Sequence, residues 1–107
     1  MTAISKAAVT AATQPIALMA IAHHIEEHKL LVPNTITFDH DDPRAVLFLD
    51  IDAAPKWVAS IHVDSEDVVT DTTHPSGWAP VVVDGRLPAL GIQVRLRYLR
   101  RTVRGVA

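Results

Sequence analysis

Hydrophobic and polar positions alternate most regularly near the C-terminus. There Ile92, Val94, Leu96 and Tyr98 take turns with Gln93, Arg95, Arg97 and Leu99. A period of two predicts a strand with one dry face and one face carrying arginine. Residues 78–83 form a second strand-like run, and Gly85, Pro88 and Gly91 lie between the two as turn residues, so a C-terminal hairpin is expected. Earlier in the chain the period changes. Over residues 15–31, Leu18, Ile21, Ala22 and Ile25 (and Val32 just beyond) recur at helical spacing. This predicts a helix capped by Thr13, with Pro15 in its first turn and Pro33 and Asn34 ending it. His23 and Glu27 fall on its far side, with His24 and His28 along a flank.

Residues 34–39 and 45–52 alternate as strands on either side of a polar loop. In the second, Leu47, Leu49 and Ile51 share one face, and Val46, Phe48, Asp50 and Asp52 share the other. Asp52 is placed to cap a short helix over 53–61 that gathers Trp57, Val58 and Ile61 on one side. A strand over 56–63 is the competing pattern. A further strand is expected over 66–73, before a His74-Pro75-Ser76-Gly77 turn. This order predicts an α+β fold, a two-layer sandwich with an antiparallel sheet of four to five strands and the N-terminal helix packed on one face. The expected core is Leu18, Ile21, Ile25, Ile36, Phe38, Leu47, Leu49, Ile51, Ile92, Val94 and Leu96. Residues 15–101 are read as one domain, 1–14 as a flexible or frayed lead and 102–107 as a tail.

The chain has 107 residues, 49% hydrophobic and 21% charged, enough for one core and too few for two. There is no cysteine, which removes disulfides, thiolate metal sites and a cysteine nucleophile. No stretch reaches the ~18 apolar residues a membrane span needs, and no secretory signal is recognisable, so the cytoplasm is the expected location. The net charge of −2 conceals a polarity: Arg95, Arg97, Arg100, Arg101 and Arg104 supply half of the ten basic residues, and no acid follows Asp84. Such a distribution steers partners and does not determine fold.

Two motifs invite a catalytic reading. Val46 to Asp52 resembles the first motif of haloacid dehalogenase-like phosphatases, in which Asp50 would be the nucleophile and Asp52 the acid-base partner. The usual continuation is replaced by Ala53-Ala54, and no downstream lysine or acidic pair completes the site. A strand running into a helix cap explains the same residues. His24-Ile25-Glu26-Glu27-His28 matches the zinc motif of inverzincin peptidases. His24 and His28 lie one turn apart on a helix, but no distant ligand follows, so an adventitious metal pair is the most they suggest. His40, His62 and His74 stand alone in turn-like surroundings. Neither enzymatic activity nor a cofactor is expected.

The arginines remain. Arg95, Arg97 and Arg101 project from one strand face, and Arg100 and Arg104 extend the patch into the tail. Nucleic-acid binders look like this, but single-strand binders add stacking aromatics on the same face, and Tyr98 points the other way. Asp39, Asp50 and Asp52 are expected on the arginine face as ion-pair partners.

The helix A-H-H-I-E-E-H-K-L-L-V-P, the paired strands and G-R-L-P-A-L-G-I-Q-V-R-L-R-Y-L-R-R together resemble a group of small proteins, of uncharacterised activity, from actinobacteria, their phages and their mobile elements. The resemblance implies a setting, an accessory protein acting on a host protein, and supplies no activity. The expected function is a protein-binding or self-association (homodimer) module, with Val46 and Phe48 uncovered on the sheet as its contact surface. The rival is a nucleic-acid-binding regulator using the arginine face.

Overall fold

The computed structural model describes residues 6–39, 42–68 and 77–101, with side chains from Gln14 onward. Its elements are α1 (Lys6–His28), β1 (Thr35–Phe38), β2 (Ala45–Phe48), α2 (Ala54–Ser60), β3 (His62–Val68), β4 (Trp78–Arg86) and β5 (Gln93–Arg101). The fold is α+β, with a single five-stranded sheet in the order β1-β2-β5-β4-β3.

The sheet is mixed, where an antiparallel one was expected. β1 and β2 form an antiparallel hairpin, and β3, β4 and β5 an antiparallel meander. The two halves meet where β2 lies parallel to β5, Ala45 beside Val94 and Leu47 beside Leu96. Two antiparallel steps make β3 parallel to β5, hence also to β2. The chain therefore leaves β2, passes through α2 and enters the sheet again at its far edge, which is the connection parallel strands require. Both outer strands end the sheet cheaply: β1 has four residues, and β3 carries Asp64, Glu66 and Asp67 with an irregularity between Val63 and Ser65, devices that discourage edge-to-edge pairing.

Register divides the residues between faces. Ala45, Leu47, Val81, Val83, Val94 and Leu96 fall on one face, are buried, and belong to one cluster with Ala20 and Ile21 of α1, Trp57 of α2, and Ile61 and Leu87. Trp57 is fully buried and its indole N–H donates to the Leu31 carbonyl at 2.9 Å, so its one polar atom is satisfied on burial. Gly85 sits inside β4 instead of in a turn, because a Cβ there would overlap the His62 carbonyl and come within 2.9 Å of Ile61 Cδ1. The turn itself uses Leu90 and Gly91 at positive φ and closes with Leu87 N–H donating to Ile92 O.

Several expectations shift. α1 begins at Lys6, so Thr13 is not its cap and Pro15 lies within it. It ends before Pro33: Lys29 takes a left-handed φ of 55° and Leu30 N–H reaches back to Ile25 O at 3.0 Å, a Schellman closure. Leu18 is 44% exposed, because the buried stripe of α1 is Ala17, Ala20, Ile21 and His24, whose alanines allow close approach. Ile51 is 41% exposed, because β2 stops at Phe48 and residues 51–53 form a turn tied by Ala53 N–H to Asp50 O. The N-cap of α2 is Ala53, with no side-chain capping bond, so Asp52 does not cap it. Helix prevails over strand at this segment. β3 begins at His62, earlier than expected, and residues 69–76, His40 and Arg104 lie outside the described residues.

Candidate functional site

The face of the sheet opposite the core cluster collects, by the same register, Val46 and Phe48 of β2, Trp78, Pro80, Val82 and Asp84 of β4, and Arg95, Arg97, Leu99 and Arg101 of β5. Val46, expected to be uncovered, is 5% exposed. It stands between its cross-strand neighbours Thr37 and Arg95, and a long guanidinium side chain covers apolar surface as it crosses it. Phe48 is half-buried.

The arginines of this face fall into two kinds. Arg95 faces Asp84 across β4 and β5 and donates to both its oxygens, at 2.7 and 3.0 Å. Those bonds hold the Asp84 carboxyl below the usual range and push the Arg95 guanidinium up. Arg44, itself bonded to Asp42 at 3.0 and 3.2 Å, approaches Asp84 at 3.8 Å. Arg97 and Arg101 have no acidic partner among the described residues. Each lies over an aromatic ring instead, Arg97 over Phe48 at 5.5 Å and Arg101 over Trp78 at 5.3 Å, within cation–π range. Arg100 points to the other face and bonds Glu66 at 3.3 Å.

The expected partners Asp39, Asp50 and Asp52 do not pair with these arginines; Asp50 accepts a bond from Asn34 Nδ2 at 2.9 Å. Asp84 and Trp78 were missed as functional residues. Both follow from extending the hairpin register through Gly85, which places Asp84 opposite Arg95 and Trp78 opposite Arg101.

Leu99, 42% exposed, borders several hollows of the surface. It lines three hollows, of about 480, 340 and 330 Å³. The first runs between α2 and the end of β5, past Ile51, Val58 and Tyr98. The other two bring in Phe48, Pro80 and Arg97, and Asn34, Asp50 and Trp78. Burial and the neighbouring Glu66 push the Tyr98 phenol up, so it stays neutral as a wall of the first hollow.

Of the histidines of α1, His24 departs from the polar flank expected of it, while His23 stays exposed. His24 is 4% exposed and its Nε2 lies 2.8 Å from Ser60 Oγ. Ser60 spends its own proton on the Trp57 carbonyl at 2.7 Å, so Nε2 carries the hydrogen and donates to the hydroxyl. The His28 ring is 4.3 Å away and the Trp57 ring 5.5 Å. Desolvation first, and then His28, hold His24 below its ordinary value. Among the described residues no group of three or more His, Asp or Glu is arranged to hold a metal ion. His62 is exposed on β3, 3.5 Å from Asp64.

Among the described residues no helix is long and apolar enough to cross a membrane. No family model, no curated protein and no solved structure matches the chain.

Proposed function

We propose that the protein is a non-enzymatic protein-binding module whose contact surface is the open face of the sheet, centred on Phe48, Arg97, Leu99, Trp78 and Arg101. In this reading both helices form a single layer over the other face, and the uncovered face is left for a partner. The observation that carries it is the sorting of the arginines. Arg95 is neutralised by Asp84, while Arg97 and Arg101 lie over aromatic rings beside an exposed leucine. Aromatic residues and arginine are the types enriched at protein interfaces and at their energetic centres. A host protein as the partner, met in the cytoplasm, suits the setting that the resemblance implies.

Nucleic-acid binding is the second reading, favoured by one observation: Phe48 and Trp78 share the face of Arg97 and Arg101, as stacking platforms do. Light scattering at low and high salt, with and without a mixed DNA and RNA pool, separates the two. The protein-binding reading expects a mass that the pool does not change, and any self-association to be insensitive to salt. A monomer that takes up the pool at low salt and releases it at high salt would support the rival, because phosphate contacts weaken as counterions compete.

A further inference from the structure

β2 runs beside β5 only as far as Phe48 and Arg97, and the last backbone bond between them is Leu49 N–H to Arg97 O at 2.9 Å. The chain then turns away into α2, while β5 continues to Arg101. A lane therefore opens along the last residues of β5. Backbone direction along it follows from two bonds. Ile92 O accepts from Leu87 on the β4 side and Arg97 O accepts from Leu49 on the β2 side. N–H and C=O of one residue point the same way and alternate along a strand. Leu99 and Arg101 thus present both groups to the vacated lane, where no described residue pairs with them. Leu99 lines three hollows beside this lane, two of which also include Ile51.

We propose that the lane is a docking slot for an extended acidic peptide, which adds to β5 as a strand; this rests on the protein-binding reading above and names its partner's chemistry. Unpaired strand edges bind extended chains through main-chain hydrogen bonds, while side-chain hollows set the sequence. Charge selects the occupant. The arginines along the lane without a carboxylate partner among the described residues are Arg97 and Arg101, on the open face. Asp50 is engaged by Asn34, and Glu66 by Arg100. A second copy of the chain fits poorly: antiparallel pairing centred on Leu99 sets Arg97 of one copy opposite Arg101 of the other, and like charges directly opposite repel. Glutamate or aspartate on the open-face side of the incoming strand meets Arg97 and Arg101, and apolar residues on its other side enter the hollow beneath Ile51 and Val58.

The probe is a labelled synthetic peptide alternating valine and glutamate, compared with its valine–lysine counterpart and with forms N-methylated on either set of alternate residues. Fluorescence anisotropy reads affinity, and amide hydrogen exchange reads the place. The acidic peptide should saturate below roughly millimolar concentration and slow exchange at the Leu99 and Arg101 amides. The lysine peptide and one of the two N-methylated forms should each bind at least about tenfold more weakly. Leu99→Pro, which removes an N–H that faces the lane, should weaken binding similarly; if that variant does not fold, exchange at Leu99 in the unaltered protein decides. No saturable binding, equal binding of the lysine peptide, or a two-fold dimer that protects Leu99 without peptide would each overturn the slot. Binding that shifts the Trp78 indole but leaves Leu99 exchange unchanged would also overturn the slot, while leaving the open face as a protein-contact surface.

Discussion

Arg95 and Asp84 meet across β4 and β5 in a two-bond fork, and on the other side Arg95 has Val46 as its cross-strand neighbour on β2. Arg95 therefore neutralises a carboxylate in the middle of the open sheet face. Removing the charge should register in stability. Asp84→Asn should cost about 1 kcal/mol at neutral pH, the range of a partly exposed charge-assisted pair. The Asp84 carboxyl is depressed in the folded state, so its contribution is full above the ordinary carboxylate value of about 4 and is lost as pH falls through the depressed one. Urea unfolding of both proteins should show a gap at neutral pH that narrows in acid. A gap that widens in acid would contradict the assignment.

His24 should make the fold sensitive to mild acid. Its ring is buried against Trp57 and bonded to Ser60, and it is held below its ordinary value. The unfolded chain then binds a proton more readily than the folded one. Stability is full above about pH 6.5 and declines as pH falls below it. His28 and His23 face His24 on the same helix and reinforce this trend, while Glu27 opposes it. Melting temperature followed between pH 7.5 and 5.5 should fall for the unaltered protein and fall less for His24→Gln. Equal slopes would remove His24 from the account.

Gly85→Ala tests the close approach of β4 and β3. The added methyl overlaps the His62 carbonyl, a backbone atom that cannot swing aside, so a loss of about 1–3 kcal/mol is expected, as for overpacked cores. Chemical denaturation measures it. An unchanged midpoint would contradict the close approach of the two strands at Gly85.

Lys29 closes α1 in a left-handed conformation that glycine adopts without strain. Lys29→Gly should therefore stabilise the protein by about 1 kcal/mol, read as a rise in the urea midpoint. A fall would show that contacts of the lysine side chain outweigh the backbone strain.

Much of this was legible along the chain because it is local. Alternation around Val94 and Leu96 fixed which face of β5 is dry, and both side chains are fully buried. The spacing of Trp57 and Ile61 offered a helix over 53–61 against a strand over 56–63, and both residues are buried. What was not legible depends on distant chain. The apolar residues of α1 run around the helix, and Ile16, Leu18 and Met19 all face outward, so periodicity could not fix its rotation. Parallel pairing of β2 with β5 depends on where the chain goes after α2, which no local pattern states. On the site, Phe48 and the arginine face were anticipated, and Val46 was not expected to be covered. Asp84 was hidden by reading Gly85 as a turn, which cut β4 short of the residue that faces Arg95; Trp78 lay inside the expected strand, but its position opposite Arg101 depends on the hairpin register running through Gly85.

The amide spectrum of the labelled protein, recorded in parallel with the valine–glutamate peptide and with the mixed nucleic-acid pool at moderate salt, tests the central claim most directly. The protein-contact account predicts saturable shifts at Leu99, Arg101 and the Trp78 indole with the peptide, and an unchanged spectrum with the pool. Shifts of Arg97, Arg101 and the Trp78 indole produced by the pool, fading as salt is raised and absent when Arg97 and Arg101 are alanine, would contradict it.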